Sequence, residues 1–152
     1  MRALGVDLGT VRIGLAMSDA GGVIATPFTV LRRSRSRELD HRAIAEICDE
    51  WEIDVVVVGL PLSLDGSHTA AARKAAAEAT RLGVITNRPV ETYDERLTTV
   101  TAHQLLREQG VSGPDRREQV DKVAAAVLLQ AWLDARHHDR SDTTPDDSRE
   151  TS

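Results

Sequence analysis

Apolar and polar positions follow three different rhythms along this chain, and each rhythm predicts an element. Residues 2–8 (RALGVDL), 13–18 (IGLAMS) and 23–31 (VIATPFTVL) are short apolar runs separated by glycine-containing turns, the pattern of an antiparallel meander. Pro27 lies inside the third run and assigns it to a sheet edge or a bulge. Residues 34–51 change to helical spacing, with Leu39, Ala43, Ile44, Ile47, Cys48 and Trp51 on one face. Val55 to Val58 form an unbroken β-branched run, which predicts a strand covered on both faces, as in parallel sheets.

A loop is expected over LPLSLDGS. A helix is expected over 68–82, with Ala72, Ala75, Ala76, Ala79 and Leu82 inward and Gly83 as its C-cap. Arg88 to Glu95 reads as a fifth strand, 98–110 as a helix started by Thr98 or Thr99 and ended by Gly110, and 113–136 as the last helix. In that last helix Asp115 and Glu118 form a capping-box pair, and Val120, Val123, Ala124, Val127, Leu128 and Ala131 form the apolar stripe. The order βββ-α-β-α-β-α-α predicts a mixed five-stranded α/β sheet with helices on both faces, strands four and five running parallel to strand one. Ligands of such sheets collect at the carboxyl ends of the parallel strands.

With 152 residues the chain suits one domain, and with aromatics at 3% its core must be built from Val, Leu, Ile and Ala. Residues 1–136 are expected to form that domain and 137–152 an acidic, disordered tail, since apolar residues almost vanish after His137. Cys48 is the single cysteine, so an internal disulfide or a multi-cysteine zinc site is excluded. Its place on the apolar side of a helix reads as core packing, with an intermolecular disulfide as the lesser alternative. No apolar run is long enough to span a bilayer, and the N-terminus has no apolar signal core; the protein is expected in the cytoplasm. Net charge is −5, but residues 139–152 hold five acids against two arginines, so the folded part is close to neutral and a polyanionic partner stays open.

The candidate chemistry is acidic. Asp7 ends an apolar strand, where an ionised carboxylate is costly unless something pairs with it. Glu95 ends the fifth strand, with Asp94 as a rival for the inward position, and Asp121 lies early in the last helix. Alone, each has an ordinary explanation: a turn acid, a strand-end acid paired with Arg96, an acid near a helix N-terminus. Together they fall on one predicted sheet edge, where they would repel one another unless a hard divalent cation such as Mg²⁺ or Mn²⁺ joined them. Arg12, Arg73, Lys74, Arg96 and Lys122 are candidates for phosphate contact; Arg12, Arg96 and Lys122 lie nearest the acids. Walker A chemistry is excluded because Leu15 and Ala16 stand where Lys and Ser/Thr are required.

The segments DLGTVRIGLAMSD, VVVGLPLSLDG, YDERLTT and VDKVAAAVLLQ together resemble the YqgF/RuvX family, from about Arg2 to Leu133. Members of that family are described as Holliday-junction-resolvase-like and as nucleases that process the 5′ end of pre-16S rRNA. The resemblance implies a ribonuclease H-like fold and a metal-dependent phosphodiesterase with Asp7, Glu95 and Asp121 as its catalytic, metal-holding acids; it favours Glu95 over Asp94. Resolvases of this fold often carry a fourth acid after the third, where this chain has Ala124 and Ala125. The implied nucleic-acid contacts are Arg12, Arg96, Lys122 and Arg73, and the implied partner is pre-rRNA or, as the runner-up, four-way junction DNA, bound by a monomer or a homodimer. DLGT is also similar to the first phosphate-binding turn of the actin and sugar-kinase group, which leaves a non-catalytic nucleic-acid- or nucleotide-binding module as the alternative of another class.

Overall fold

A computed structural model describes residues 1–62, 67–95, 105, 108, 110 and 115–143. Its five strands are β1 (Ala3–Leu8), β2 (Arg12–Ser18), β3 (Ala25–Arg32), β4 (Val55–Leu60) and β5 (Val90–Asp94); its long helices are α1 (Arg37–Glu50), α2 (Ala70–Thr86) and α3 (Asp115–Thr143). The sheet order is β3-β2-β1-β4-β5. β1 to β3 form the antiparallel meander, and β4 and β5 run parallel to β1, as the element order requires. β3 is an edge strand; its ladder with β2 carries a register shift at Leu15/Ala16, and Pro27 pairs with Ala16 beside that shift. A ring nitrogen that cannot donate is thus kept out of the sheet interior.

Strand alternation divides the core in two. Leu4, Val6, Val56 and Val58 pack with Ile44, Cys48, Ala79 and Leu82 under α1 and α2. Ala3, Val55 and Val57 pack with Ala125, Leu129, Trp132 and Leu133 under α3 on the opposite face. All six positions of β4 are buried, which is why the valine run has no polar alternation. α3 lies very close to the sheet: a Cβ at Gly5 would stand 2.8 Å from the Cβ of Leu129 and 2.9 Å from the carbonyl oxygen of Ala125.

Several elements differ from expectation for identifiable reasons. Gly83 does not end α2; the helix continues to Thr86, and Asn87 takes the left-handed C-terminal position at φ 53°. Gly83 instead faces β5, where a Cβ would come within 3.2 Å of Val90 Cγ2. In α1, Leu39 is exposed while Asp40 and His41 are buried, so the apolar stripe is displaced by a polar contact that spacing alone cannot reveal. Trp51 caps α1 and meets Phe28 edge to face at 5.6 Å. On α3 the buried face includes Val120, Ala124 and Leu128 of the expected stripe and extends over Ala125, Leu129, Trp132 and Leu133.

The boundary expected after residue 136 is not an element end. α3 runs seven residues further, to Thr143, and His137 Nε2 lies 2.9 Å from the carbonyl oxygen of Gly22. A polar segment can extend a helix whose earlier turns are already fixed by packing, because adding a turn is far easier than nucleating one. Of the helix expected over 98–110, only three residues are described: 105 and 108 are helical, and Gly110 has φ +76°. The remainder of that helix, and residues 63–66 of the LPLSLDGS loop, lie outside the described residues.

Buried Cys48 has its thiol pushed up to about 11 by burial, so it is a packing residue and poorly placed for an intermolecular disulfide. No helix among the described residues is long and apolar enough to cross a membrane.

The close approach of α3 gives a direct stability test. Gly5→Ala must push Leu129 and the backbone at Ala125 outward, and overpacking of this kind costs about 1–3 kcal/mol. Thermal unfolding followed by circular dichroism should show a fall of roughly 2–10 °C for a chain of this size; an unchanged midpoint would contradict the packing described here.

Candidate functional site

Asp7 lies on the penultimate residue of β1. Because Val6 points into the α1/α2 core, Asp7 points to the opposite face, toward α3. Glu95 directly follows β5, and its backbone N–H donates to the Leu60 carbonyl at 3.1 Å, prolonging the parallel ladder by one bond. Two strand ends on either side of β4 therefore bring these carboxyl groups to one edge of the sheet. They hydrogen-bond to each other, Glu95 in its protonated form donating to Asp7.

Both titrations are displaced upward. Burial, then repulsion from Asp121, pushes Asp7 to about 6; burial, then repulsion from Asp7, pushes Glu95 to about 7. The pair shares protons and titrates as a unit. Asp19, the carboxylate that ends β2, behaves in the opposite way. Its Oδ1 accepts from the N–H groups of Val23 at 2.7 Å and Ile24 at 3.0 Å, and these bonds, led by Ile24, lower its pKa. It closes a turn; among the described residues no backbone N–H donates to the Asp7 carboxyl.

Two glycines make room for the acids. Gly14 pairs with Asp7 in the β1–β2 ladder, and a Cβ on it would overlap the backbone of Asp121 in α3. Gly59 follows Val58, the partner of Val6 in β4, and a Cβ there would overlap Glu95 Oε2. The absence of a side chain at each is what lets helix backbone and Glu95 reach the sheet edge. Sequence reading passed over both; the available signal was a glycine inside each of two otherwise apolar strands.

Asp121 is near enough to repel Asp7, but its Oδ2 is held by Arg12 Nε at 2.7 Å, with both side chains about one-quarter exposed. Among the described residues, no three His, Cys, Asp or Glu side chains are arranged to hold a metal ion as they stand. The sheet edge instead holds a proton-sharing pair with a third carboxylate tethered beside it. The donor set, oxygen ligands crowded enough to retain a proton near neutrality, fits a hard divalent cation; Asp121 would join the pair once Arg12 releases it.

Lys122 is half-buried next to Asp121 on α3. Arg73 is exposed on α2, its Nη1 3.5 Å from the His68 carbonyl oxygen. Arg96 lies outside the described residues.

A buried polar network on the α1/α2 face was also missed. Glu78 on α2 accepts both terminal nitrogens of Arg33, at 2.7 and 3.0 Å, and lies 2.9 Å from His41 Nε2. Burial opposes ionisation of Glu78, but the Arg33 and His41 bonds outweigh it and hold its pKa below the usual range. Arg33 Nε in turn donates to the Gly9 carbonyl at 2.7 Å, so this network fixes the turn that follows Asp7. A cavity of about 510 Å³ lies at the other edge of the sheet beside Arg2, Trp51 and Asp54, away from the acids.

A mixed sheet of this order, flanked by helices and carrying acids at the carboxyl edge, defines a ribonuclease H-like protein. In keeping with this, the fold is similar to Thermus thermophilus RuvC in complex with a Holliday junction substrate, with a TM-score of 0.59 over 91% of this chain and 96% of that one at 16% identity. The chain belongs to the RuvX family, described as Holliday junction resolvases, whose model matches residues 1–135; it is a nuclease family. Among its relatives, a protein of Anaeromyxobacter sp. (strain Fw109-5) named "Putative pre-16S rRNA nuclease" is 53% identical over 137 residues, 90% of this chain and 99% of its own length. Its counterpart of the same name in Rhodococcus opacus (strain B4) is 47% identical over 139 residues, 89% of this chain and 78% of that protein.

The raised pKa values make a signed stability prediction. Groups whose folded pKa lies above the unfolded value favour folding at low pH, and that contribution is lost as pH rises from about 4 toward about 7. Without divalent metal, Asp7→Asn should therefore melt at nearly the wild-type temperature at pH 4 and above it at pH 8. Equal melting temperatures at pH 8 would show that the carboxyl pair is not under strain.

Proposed function

We propose that the protein is a divalent-metal-dependent nuclease of the cytoplasm that hydrolyses phosphodiester bonds in the 5′ extension of pre-16S rRNA. The observation that carries the catalytic part is the proton-sharing Asp7–Glu95 pair, a half-buried arrangement unfavourable at neutral pH unless a positive charge is supplied. The names of the relatives at about half identity support the substrate.

Asp7 and Glu95, joined by Asp121, would hold one or two Mg²⁺ or Mn²⁺ ions, which when bound supply an activated water and charge stabilisation at the leaving oxygen. The chain's own residues do the rest. Arg12 aims the Asp121 carboxylate through its 2.7 Å bond and, on releasing it, offers a guanidinium to the scissile phosphate. Lys122, on the same turn of α3, and Arg96, next to Glu95, add positive charge for flanking phosphates, with Arg73 further out on α2. β1, β4 and β5 set the separation of the acids, while Gly14 and Gly59 keep it small.

A second reading, cleavage of four-way DNA junctions, is favoured by the family's description as Holliday junction resolvases. It requires paired cuts and therefore a homodimer, whereas a monomer suffices for RNA trimming.

Cleavage of a 5′-extended 16S precursor and of junction DNA, titrated side by side with Mg²⁺ and Mn²⁺, tests the proposal. RNA should be cut and chelation should stop the reaction. Asp7→Asn and Glu95→Gln should each lower the rate by roughly 10²–10⁴-fold while the circular dichroism spectrum is retained. Cleavage by Asp7→Asn at the wild-type rate would overturn the mechanism. Junction cleavage by a dimer, with the RNA left intact, would replace the substrate.

A further inference from the structure

The carboxyl edge of the sheet has a concave surface apart from the acids. A cavity of about 310 Å³ lies between the β1–β2 turn, the start of α1 and α2. Three of its lining residues are cations, Arg33, Arg37 and Lys74, and one is an acid, Glu78. The acid is already satisfied: one oxygen is bonded to Arg33 and the other is shared between Arg33 and His41. Arg37 and Lys74 are exposed, and among the described residues neither forms an ion pair. Counting the described residues, the cavity therefore carries a net positive charge over a floor held by the Arg33–Glu78–His41 network.

Its place relative to the acids is set by the chain. Leu8, in the cavity wall, directly follows Asp7, and Pro61, also in the wall, directly follows Leu60, the residue that accepts the Glu95 N–H. Leu8 packs against the α1/α2 core, so alternation puts the cavity and the Asp7 carboxyl on opposite faces of one strand end. A polymer strand draped over that edge would meet the acids on one side and the cations on the other. Thr10 adds a hydroxyl to the cavity wall, and the apolar surfaces of Leu8 and Pro61 suit a sugar.

We propose that this cavity is a second phosphate subsite, in which Arg37, Lys74 and Thr10 hold a backbone phosphate adjacent to the one being cleaved. The inference rests on the nuclease reading and extends it: substrate is gripped across the sheet edge rather than on the α3 face alone. Arg33 and Glu78 act as positioning residues, fixing the turn at Gly9 that separates the two subsites.

The test pairs binding with turnover. In full-length Asp7→Asn protein, the affinity for fluorescein-labelled single-stranded RNA is measured by anisotropy over a range of salt, with and without Arg37→Ala and Lys74→Ala together. The paired substitution should weaken binding about tenfold at low salt and flatten the slope of log K against log salt by about 1. With Asp7 restored, it should raise KM and leave kcat within about twofold. Arg81→Ala, which removes an exposed charge from the far end of α2, should change neither quantity. Unchanged affinity and slope, in a protein that still cleaves RNA, would overturn the subsite and leave the nuclease reading intact. Loss of inorganic phosphate binding with no effect on RNA would assign the cavity to a free anion and overturn it as well. Failure of the unsubstituted protein to bind or cut any nucleic acid would overturn the nuclease reading itself.

Discussion

Two carboxyl groups held in contact at a half-buried strand edge are the constraint around which this molecule is organised. Asp7 and Glu95 share protons because they have been partly withdrawn from water and placed against each other. A protein gains nothing in stability from that arrangement near neutral pH, since desolvation and repulsion both oppose it. Strained, charged positions of this kind are maintained by the surrounding structure and concentrate where chemistry is done.

The surrounding structure is the parallel part of the sheet. β4 is buried on both faces and fixes β1 and β5 on its two sides, so the ends of β1 and β5 cannot drift apart. α3 closes the third side, brought close by Gly5 and Gly14. On the opposite face Glu78 shows how the same fold treats an acid it intends to neutralise: Arg33 and His41 occupy its oxygens, and it stays ionised. The difference between Glu78 and Asp7 is the difference between an acid whose oxygens meet cationic side chains and one whose neighbours are two further carboxyl groups.

Much of this architecture is legible in the sequence. The meander, the parallel valine strand, the helix on each face and the edge position of Pro27 follow from periodicity and from proline's missing donor. The grouping of residues 7 and 95 follows from topology, since both end parallel strands. The features that escaped are those set by tertiary contact. The burial of His41 and Asp40 has no signal in the helical spacing, because it depends on partners outside α1, Glu78 for His41 and the Ser34 N–H for Asp40. Gly83 read as a cap because its packing partner, Val90, lies in another element. The helix beyond His137 has no apolar stripe to announce it. The bond from Arg12 to Asp121 spans 109 residues and has no local signature.

The central claim is that a divalent cation takes the place of the protons shared by Asp7 and Glu95. It is tested most directly by counting protons released on metal binding, from titration calorimetry with Mn²⁺ near pH 6 in two buffers of different ionisation enthalpy. The wild-type protein should release roughly one proton or more per molecule, and Asp7→Asn clearly fewer. Mn²⁺ binding with no proton released, or no binding to the wild-type protein at all, would contradict the account.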